Sequence, residues 1–199
     1  FMIAADEVYH FLNYSDRQVK PFAAYADLET VISLGSFSKI LAPGIRLGWM
    51  MASESLIDRV ASHGALQSGG GLNPVMGAVV HGLVESGFQA QHVERLRQHY
   101  TATSRALTEA VRHYLPQAVF EPPAGGYFAW LDLGPDVSTS ALLEHARSRG
   151  VSYTPGQRCA VTGDFDRFAR LSFSFYQPDE IARGVESLAA AVSDFSAGQ

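Results

Sequence analysis

The feature that most constrains the fold is the block at residues 36–48, which has the sequence SFSKILAPGIRLG. A mostly apolar run at residues 31–34 precedes it, separated only by Gly35, and a second mostly apolar run at residues 46–52 overlaps its end. Short β-branched and apolar runs that are bounded by serine, glycine and proline are typical of strands joined by a turn. The block therefore predicts a strand, a polar turn and a second strand. Open α/β sheets bind ligands at such strand ends.

The amine inside this turn is unusual for the chain. Lys39 is one of only two lysines, with Lys20, whereas arginine occurs thirteen times (fifteen Lys and Arg in all, minus two Lys). Arginine stays protonated, but a lysine can lose its proton and attack a carbonyl carbon. The choice of lysine here makes Lys39 a candidate for Schiff-base formation.

Three other interpretations of the block compete with this one. The segment SFSK fits the S-x-x-K signature of serine-nucleophile enzymes, but no K-T-G follows in the chain. A Walker A loop needs serine or threonine after the lysine, and Ile40 stands there. The third interpretation, a solvent-facing lysine in an ordinary turn, does not account for the other defined positions of the block.

A second motif lies some thirty residues before the lysine. The segment ADEVY contains Asp6 and Tyr9 at the predicted end of a strand. This pair, followed by S-x-S-K-x-x-x-P-G-x-R-x-G, resembles the fold-type I pyridoxal-phosphate enzymes of the aspartate aminotransferase superfamily, in the class I/II branch. The resemblance continues to the end of the chain through PAGGYFAW at 123–130, TPG at 154–156 and RLSFS at 170–174.

The resemblance implies a role for each polar residue of the first half, with pyridoxal 5′-phosphate as the cofactor. Asp6 would keep the ring nitrogen protonated, and the hydroxyl of Tyr9 would bind the phenolic oxygen. Lys39 would be both the tether of the cofactor and the general base.

Phosphate and substrate binding are implied for four further residues. Ser36 and Ser38 would each donate a hydrogen bond to the phosphate, and Arg46 would bind it through its guanidinium group. Arg170 lies on an alternating, aromatic-rich segment and would bind the α-carboxylate of the substrate. Without the resemblance, Arg170 would be an arginine on the solvated face of a strand.

The fold class that the resemblance implies is α/β. Residues 1–95 are expected to be the C-terminal part of a cofactor-binding large domain with a mixed, mainly parallel sheet and helices. Residues 96–199 are expected to be a small C-terminal α/β domain. Apolar residues at three- and four-residue spacing predict one long helix at 89–115 that enters this domain.

Other elements follow from local patterns. Strands are predicted at 3–8, 31–34, 46–52, 118–120, 127–133, 151–153 and 170–175, and helices after Ser53, after the glycines at 69–71, at 139–149 and at 178–193. The apolar start at residues 1–5 predicts a buried strand. We therefore expect the chain to begin in the middle of a fold, as the C-terminal part of a longer protein.

Composition excludes several classes of function for this segment. The net charge is −5 and there is no basic run, which argues against nucleic-acid binding. No apolar run approaches the roughly eighteen residues of a membrane span. Cys159 is the only cysteine, and the seven histidines lack ligand spacing, so neither a disulfide nor a metal site is expected. The expected location is the cytoplasm.

Three functions stay open at this point. The first is an aminotransferase, expected as a homodimer, that moves an amino group between an amino acid and a 2-oxo acid. The second is an aminotransferase-like domain that senses an effector in a transcriptional regulator. The third is a lyase on the same fold, which needs the same lysine. In each case the segment is expected to be inactive without the rest of its protein.

Overall fold

The structure is a computed structural model that describes residues 1–15, 19–25, 28–68 and 72–197. The chain divides into two compact units, Phe1–Gln98 and His99–Gln199. The division falls inside one long helix, so that helix contributes its first turns to one unit and the remainder to the other.

The first unit contains a three-stranded sheet. Its strands are β1 (Ile3–Asp6), β2 (Val31–Ser36) and β3 (Gly48–Met51), in that order across the sheet. Strand β1 pairs with β2 in parallel, and β2 pairs with β3 in antiparallel orientation. The predicted mixed sheet is confirmed, with one pairing of each kind in this part of the chain.

Two strand predictions for this sheet need correction. The third strand begins at Gly48 rather than at residue 46, because Arg46 has φ 53° and ψ 42°, a left-handed conformation that a strand does not contain. The first strand is not buried as predicted: Phe1 and Met2 are exposed, and β1 alternates between half-buried and exposed residues. Among the described strands, β1 has only β2 as a neighbour.

Helices α1 (Glu54–Ala61), α2 (Gly64–Gln67) and α3 (Pro74–Glu85) follow the sheet. The predicted cap of α1 is confirmed, since the Ser53 hydroxyl accepts a hydrogen bond from the Leu56 amide. Asn73 caps α3, and the predicted glycine loop at 69–71 lies outside the described residues. The one-turn helix α2 was not predicted.

The long helix is α4 (Phe88–Tyr114), which has 27 residues and a length of about 40 Å at 1.5 Å per residue. Its prediction at 89–115 is confirmed to within one residue at each end. Gly87 separates it from α3, and its φ of +75° is one that glycine adopts without strain.

The second unit contains a four-stranded antiparallel sheet and two helices. Its strands β4 (Val119–Phe120), β5 (Phe128–Asp132), β6 (Thr154–Pro155) and β7 (Phe168–Ser172) are ordered β4-β5-β7-β6. Helices α5 (Thr139–Ser148) and α6 (Pro178–Ala197) pack on each other. Their buried leucines and those of the sheet form the core together with Phe173.

The strand predicted at 151–153 is wrong by its whole length, because β6 begins at Thr154. The amide of Val151 donates to the Ala146 carbonyl at the end of α5 instead of to a neighbouring strand. The side chain of Tyr153 is buried, and its hydroxyl donates to the Thr139 carbonyl at 2.7 Å. Val151 and Tyr153 therefore bond to the two ends of α5 rather than extend the sheet.

Candidate active site

The residues implicated in the first unit lie at one edge of its sheet. Asp6 is the last residue of β1 and pairs with Leu34, while Ser36 is the last residue of β2 and pairs with Gly48. Because β1 and β2 are parallel, their carboxyl ends meet at the same edge. Strand β3 starts at this edge, because it is antiparallel to β2. The connecting segment that carries Lys39 and Arg46 therefore begins and ends there.

The turn after β2 is closed by main-chain hydrogen bonds. The Phe37 amide donates to the Leu47 carbonyl at 3.0 Å, and the Phe37 carbonyl accepts from the Leu41 amide at 2.8 Å. Lys39 lies inside this turn and is half-buried. Among the residues that the structure describes, its amine forms no ion pair and is available to a ligand.

Two hydroxyls and one guanidinium group converge beside this lysine. The Ser38 amide donates to Ser36 Oγ at 3.1 Å, and Arg46 Nη1 donates to Ser38 Oγ at 3.0 Å and to the Pro43 carbonyl at 3.1 Å. These bonds hold the three polar side chains as one cluster. A cluster of hydroxyl and guanidinium donors is suited to a phosphate monoester.

The backbone of Arg46 also indicates a constraint at this site. Arg46 and Asn73 are the two non-glycine residues with positive φ in the described parts of the chain. A left-handed conformation costs such a residue about 1–2 kcal/mol. Strained residues of this kind concentrate at ligand-binding sites, where the surrounding structure maintains them.

Asp6 and Tyr9 lie on the segment that follows β1. The Asp6 carboxylate is exposed at the end of its strand, and Tyr9 is half-buried at the start of a short 3-10 helix, His10–Leu12. Both residues therefore lie at the edge of the sheet that bears Lys39. The sequence prediction that they act together on one ligand remains a prediction.

Glu7, for which the sequence predicted no role, holds this segment in place. Its carboxylate accepts hydrogen bonds from the buried Ser33 hydroxyl on β2 and from the Phe22 amide, the latter at 2.6 Å. Glu7 thereby links β1, β2 and the short 3-10 helix Phe22–Ala24. No local sequence pattern predicts this role, because Ser33 lies 26 residues away in the sequence.

Two glycines let β2 and β3 approach each other next to the site. A Cβ at Gly35 would lie 2.1 Å from the Trp49 ring, and a Cβ at Gly48 would lie 2.7 Å from the Gly35 carbonyl oxygen. Neither distance is compatible with a side chain. Packing therefore favours glycine both at residue 35, near the end of β2, and at residue 48, at the start of β3.

Arg170 lies on β7 in the second unit. Its guanidinium carbon is 4.4 Å from the centre of the Phe128 ring, and its Nε is buried without a hydrogen-bond partner among the described residues. Its neighbour Arg167, by contrast, is exposed and pairs with Asp132 at 3.0 Å. The buried, unpaired Nε distinguishes Arg170 from an arginine on a solvated strand face.

The second unit also contains two groups with shifted pKa values. Burial raises the pKa of the Tyr153 hydroxyl, and the nearby Asp166 charge adds to this effect. Hydrogen bonds from Ser138 and Ser140 lower the pKa of Asp166 below its ordinary value. Both groups surround the start of α5, so their role there is structural.

The described residues contain neither a candidate metal-binding cluster nor a candidate membrane-spanning helix. They contain no group of three or more histidine, cysteine, aspartate or glutamate side chains arranged to hold a metal ion. In the same part of the chain, no helix has the length and apolar character needed to cross a membrane. Cys159 is exposed and unpaired.

Comparison with known proteins identifies related chains. The family described as aminotransferase class I and II matches residues 1–188. Aromatic-amino-acid aminotransferase 1 of Thermococcus litoralis is 33% identical over 196 residues, which are 98% of this chain and 46% of the relative. An uncharacterised HTH-type transcriptional regulator of Bacillus subtilis, YdfD, is 26% identical over 98% of this chain and 40% of its own length.

A solved structure agrees with these matches. The α-aminoadipate aminotransferase LysN of Thermus thermophilus, complexed with N-(5′-phosphopyridoxyl)-L-leucine, superposes with a TM-score of 0.88 at 27% identity. The superposition covers 100% of this chain and 51% of LysN. The chain thus spans about half the length of the relatives it matches. Its sequence and fold place it in the aminotransferase class I and II family.

Proposed function

We propose that the protein containing this chain is a pyridoxal-phosphate-dependent aminotransferase that moves an amino group between an amino acid and a 2-oxo acid. The observation that carries the proposal is the convergence of Asp6, Tyr9, Lys39 and the Ser36–Ser38–Arg46 cluster at one sheet edge. Membership of the family supports it.

The residues present fit the cofactor. Ser36, Ser38 and Arg46 already form one hydrogen-bonded cluster, and both Arg46 bonds use Nη1, one of its two terminal nitrogens. A phosphate would accept hydrogen bonds from the two hydroxyls and from the guanidinium group. The amine of Lys39, three residues from Ser36, would hold the aldehyde end.

Pyridoxal phosphate, when bound, supplies an electron-withdrawing ring that stabilises negative charge on the α-carbon of an amino acid. Asp6 would keep a proton on the ring nitrogen, since a carboxylate beside that nitrogen favours its charged form. The Tyr9 hydroxyl would donate to the phenolic oxygen. Lys39 would tether the cofactor and then, as a free amine, move the proton at the α-carbon.

Arg170 would bind the substrate through its carboxylate. Arginine offers a planar pair of N–H donors that matches a carboxylate in bidentate geometry. The Nε of Arg170 is buried and unpaired among the described residues, and the Phe128 ring supports one face of the group. An α-carboxylate would supply the missing acceptor.

A half-reaction tests the proposal directly. The full-length protein, loaded with pyridoxal phosphate and mixed with one amino acid at a time in the absence of a 2-oxo acid, should release the matching 2-oxo acid and retain pyridoxamine phosphate. Chromatography of the released cofactor measures this. A lyase would return pyridoxal phosphate unchanged, and that result with every amino acid would contradict the aminotransferase proposal.

A second candidate function is an effector-sensing domain of a transcriptional regulator. The observation that favours it is the match of almost the whole chain to the HTH-type regulator YdfD. In that case the same cofactor-binding residues would serve in sensing rather than in turnover. Binding of the full-length protein to its own promoter DNA, without any half-reaction, would support the regulator over the enzyme.

The proposal extends to the assembly and location of the protein. We expect a homodimer in the cytoplasm, as the resemblance implies. Sedimentation of the full-length protein and fractionation of its host cells would test these two expectations.

A further inference from the structure

Gln89 is a polar side chain buried at the start of helix α4. It is only 8% exposed, and its Nε2 donates a hydrogen bond to the Ile40 carbonyl at 2.8 Å. Ile40 directly follows Lys39 and lies 49 residues earlier in the sequence. Gly87, with its positive φ, ends the connection from α3, and Gln89 lies in the first turn of α4.

The bond supplies a contact that the turn does not make for itself. The amides of Ile40, Leu41 and Ala42 all donate to the Phe37 carbonyl, which holds the inner side of the turn. The Ile40 carbonyl receives its hydrogen bond from Gln89. This bond ties the peptide next to Lys39 to a helix of 27 residues.

The phosphate-binding side of the same segment is held by different groups. Asn73 Nδ2 donates to the Ile45 carbonyl at 3.0 Å, and Arg46 Nη1 donates to the Pro43 carbonyl. Neither contact involves Gln89. The lysine side and the phosphate side of the turn therefore have separate anchors.

The other end of the Gln89 amide shows why the residue is polar. Its Oε1 is buried and has no hydrogen-bond partner among the described residues. A buried polar atom without a partner destabilises a fold, and an apolar residue would remove that cost. An amide at this position is therefore explained by the bond from Nε2 to Ile40.

We propose that Gln89 is a positioning residue for Lys39: it fixes the peptide that follows the lysine, so that the amine meets the aldehyde of the cofactor. The inference rests on the proposed function, since it assigns Lys39 the role of tether. It predicts that loss of Gln89 slows covalent attachment at Lys39 without weakening phosphate recognition.

The test compares two variants of the full-length protein. Gln89→Met keeps the volume and removes the hydrogen bond, while Gln91→Met makes the same change at an exposed position on the same helix. Covalent attachment is followed by borohydride reduction and mass spectrometry after mixing with pyridoxal phosphate. Recognition without attachment is followed by titration with pyridoxamine 5′-phosphate, which has the ring and phosphate but no aldehyde.

We expect Gln89→Met to slow attachment by about tenfold, the fold-change that corresponds to the loss of one hydrogen bond that positions the turn. Its affinity for pyridoxamine phosphate should stay within about threefold of the wild type, because the phosphate anchors are intact. Its melting temperature should change little, because the variant exchanges one unpaired oxygen, Gln89 Oε1, for another, the Ile40 carbonyl. Gln91→Met should match the wild type in all three measurements.

Two results would overturn the inference. One is an attachment rate in Gln89→Met equal to that in Gln91→Met. The other is an equal fall in attachment and in pyridoxamine phosphate affinity together with a lower melting temperature, which would indicate a general structural role. A wild-type protein that shows no attachment at Lys39 would instead contradict the proposed function.

Discussion

At the scale of single residues, the site is defined by groups that already contact one another. Arg46 contacts Ser38 and the Pro43 carbonyl and does so from a left-handed backbone. The contribution of the guanidinium group and the cost of the left-handed backbone at Arg46 can therefore be measured separately with two substitutions.

Arg46→Ala removes the guanidinium group and keeps the unfavourable left-handed φ, whereas Arg46→Gly removes the guanidinium group and permits that φ. Both variants should lose affinity for pyridoxal phosphate by about tenfold or more, because a charge-assisted bond is worth about 1.5–3 kcal/mol. Arg46→Gly should be the more stable of the two by about 1 kcal/mol. Cofactor titration and chemical denaturation measure the two effects.

An affinity in either Arg46 variant equal to that of the wild type would remove Arg46 from the phosphate site. Equal stability of the two variants would mean that the backbone relaxes out of the left-handed region once the side chain is lost. Arg59→Ala, on α1, provides a control for the loss of a positive charge elsewhere in the same unit.

At the scale of secondary-structure elements, the hairpin of β2 and β3 depends on close packing at Gly35. A methyl group there would lie 2.1 Å from the Trp49 ring, which must then move. Trp49 packs edge-on against Phe37 at 4.9 Å between ring centres, in the turn that carries Lys39. Disturbance of this packing therefore reaches the site.

Gly35→Ala should destabilise the protein by about 1–3 kcal/mol, the usual range for overpacking. Gly77→Ala is the matched control, because a Cβ at Gly77 in helix α3 meets no atom within 4 Å. It should stabilise the protein by about 0.5–1 kcal/mol, since alanine is the better helix former. Urea denaturation measures the free energy of unfolding of both variants. Equal values would show that the Trp49 ring moves aside without cost.

The Asp166 carboxylate at the start of helix α5 is expected to make the stability of the fold depend on pH. Asp166 accepts a hydrogen bond from the Ser140 amide at 3.1 Å, and hydrogen bonds from Ser138 and Ser140 hold the pKa of its carboxyl below its ordinary value. A carboxyl whose pKa is lowered by folding stabilises the fold above its unfolded pKa. That contribution is lost as the pH falls through the folded pKa.

Asp166→Asn should therefore lower the melting temperature at neutral pH, and the difference from the wild type should shrink as the pH falls below about 4. Asp136→Asn, at an exposed aspartate that precedes α5, is the control and should follow the wild type. A difference that is constant between neutral and acidic pH would show that the Asp166 charge does not contribute.

The parts of the fold that were predictable from sequence are those that depend on neighbours in the chain. The Ser53 cap, the start of α5 at Thr139, the length of α4 and the strand before Lys39 are all set by local patterns, and the structure confirms them. Two features that were not predicted depend on distant partners, since Glu7 needs Ser33 and Gln89 needs Ile40. The late start of β3 follows instead from the left-handed backbone of Arg46, which the local pattern does not indicate.

The candidate site likewise combines features that follow from local sequence with features that the sequence did not predict. Spacing places Ser36, Ser38 and Lys39 together on one turn, and the parallel pairing of β1 and β2 adds Asp6 to the same edge. Spacing could not show that Arg46 Nη1 bonds to Ser38, nor that the Arg170 Nε is buried and unpaired among the described residues. The role of each residue toward the cofactor stays a prediction.

At the scale of the whole molecule, the chain spans about half the length of the relatives it matches. The Ser36–Ser38–Arg46 cluster, Lys39 and the Asp6 carboxylate lie within it. We expect the remaining half of such a protein to supply further contacts to the cofactor, and affinity falls tenfold for each 1.4 kcal/mol that is lost, roughly one contact. Residues 1–199 alone should therefore bind pyridoxal phosphate far more weakly than the full-length protein.

Fluorescence titration of residues 1–199 and of the full-length protein with pyridoxal phosphate measures this difference. We expect the shorter chain to bind at least about a hundredfold more weakly, as the loss of two or more contacts implies, and to catalyse no amino transfer. Circular dichroism is the control for folding. Equal affinity in a folded 1–199 would show that this chain holds every group needed for cofactor binding.

Lys39 is the residue proposed to bond covalently to the cofactor, and the chemistry of its amine permits one direct measurement. The chain has two lysines, and Lys20 lies outside the turn. The full-length protein is incubated with pyridoxal phosphate, reduced with borohydride, digested and analysed by mass spectrometry. We expect a phosphopyridoxyl group on the peptide that contains Lys39, its loss in Lys39→Ala and its retention in Lys20→Ala. A modified site elsewhere in the wild type, or unchanged modification in Lys39→Ala, would contradict this expectation.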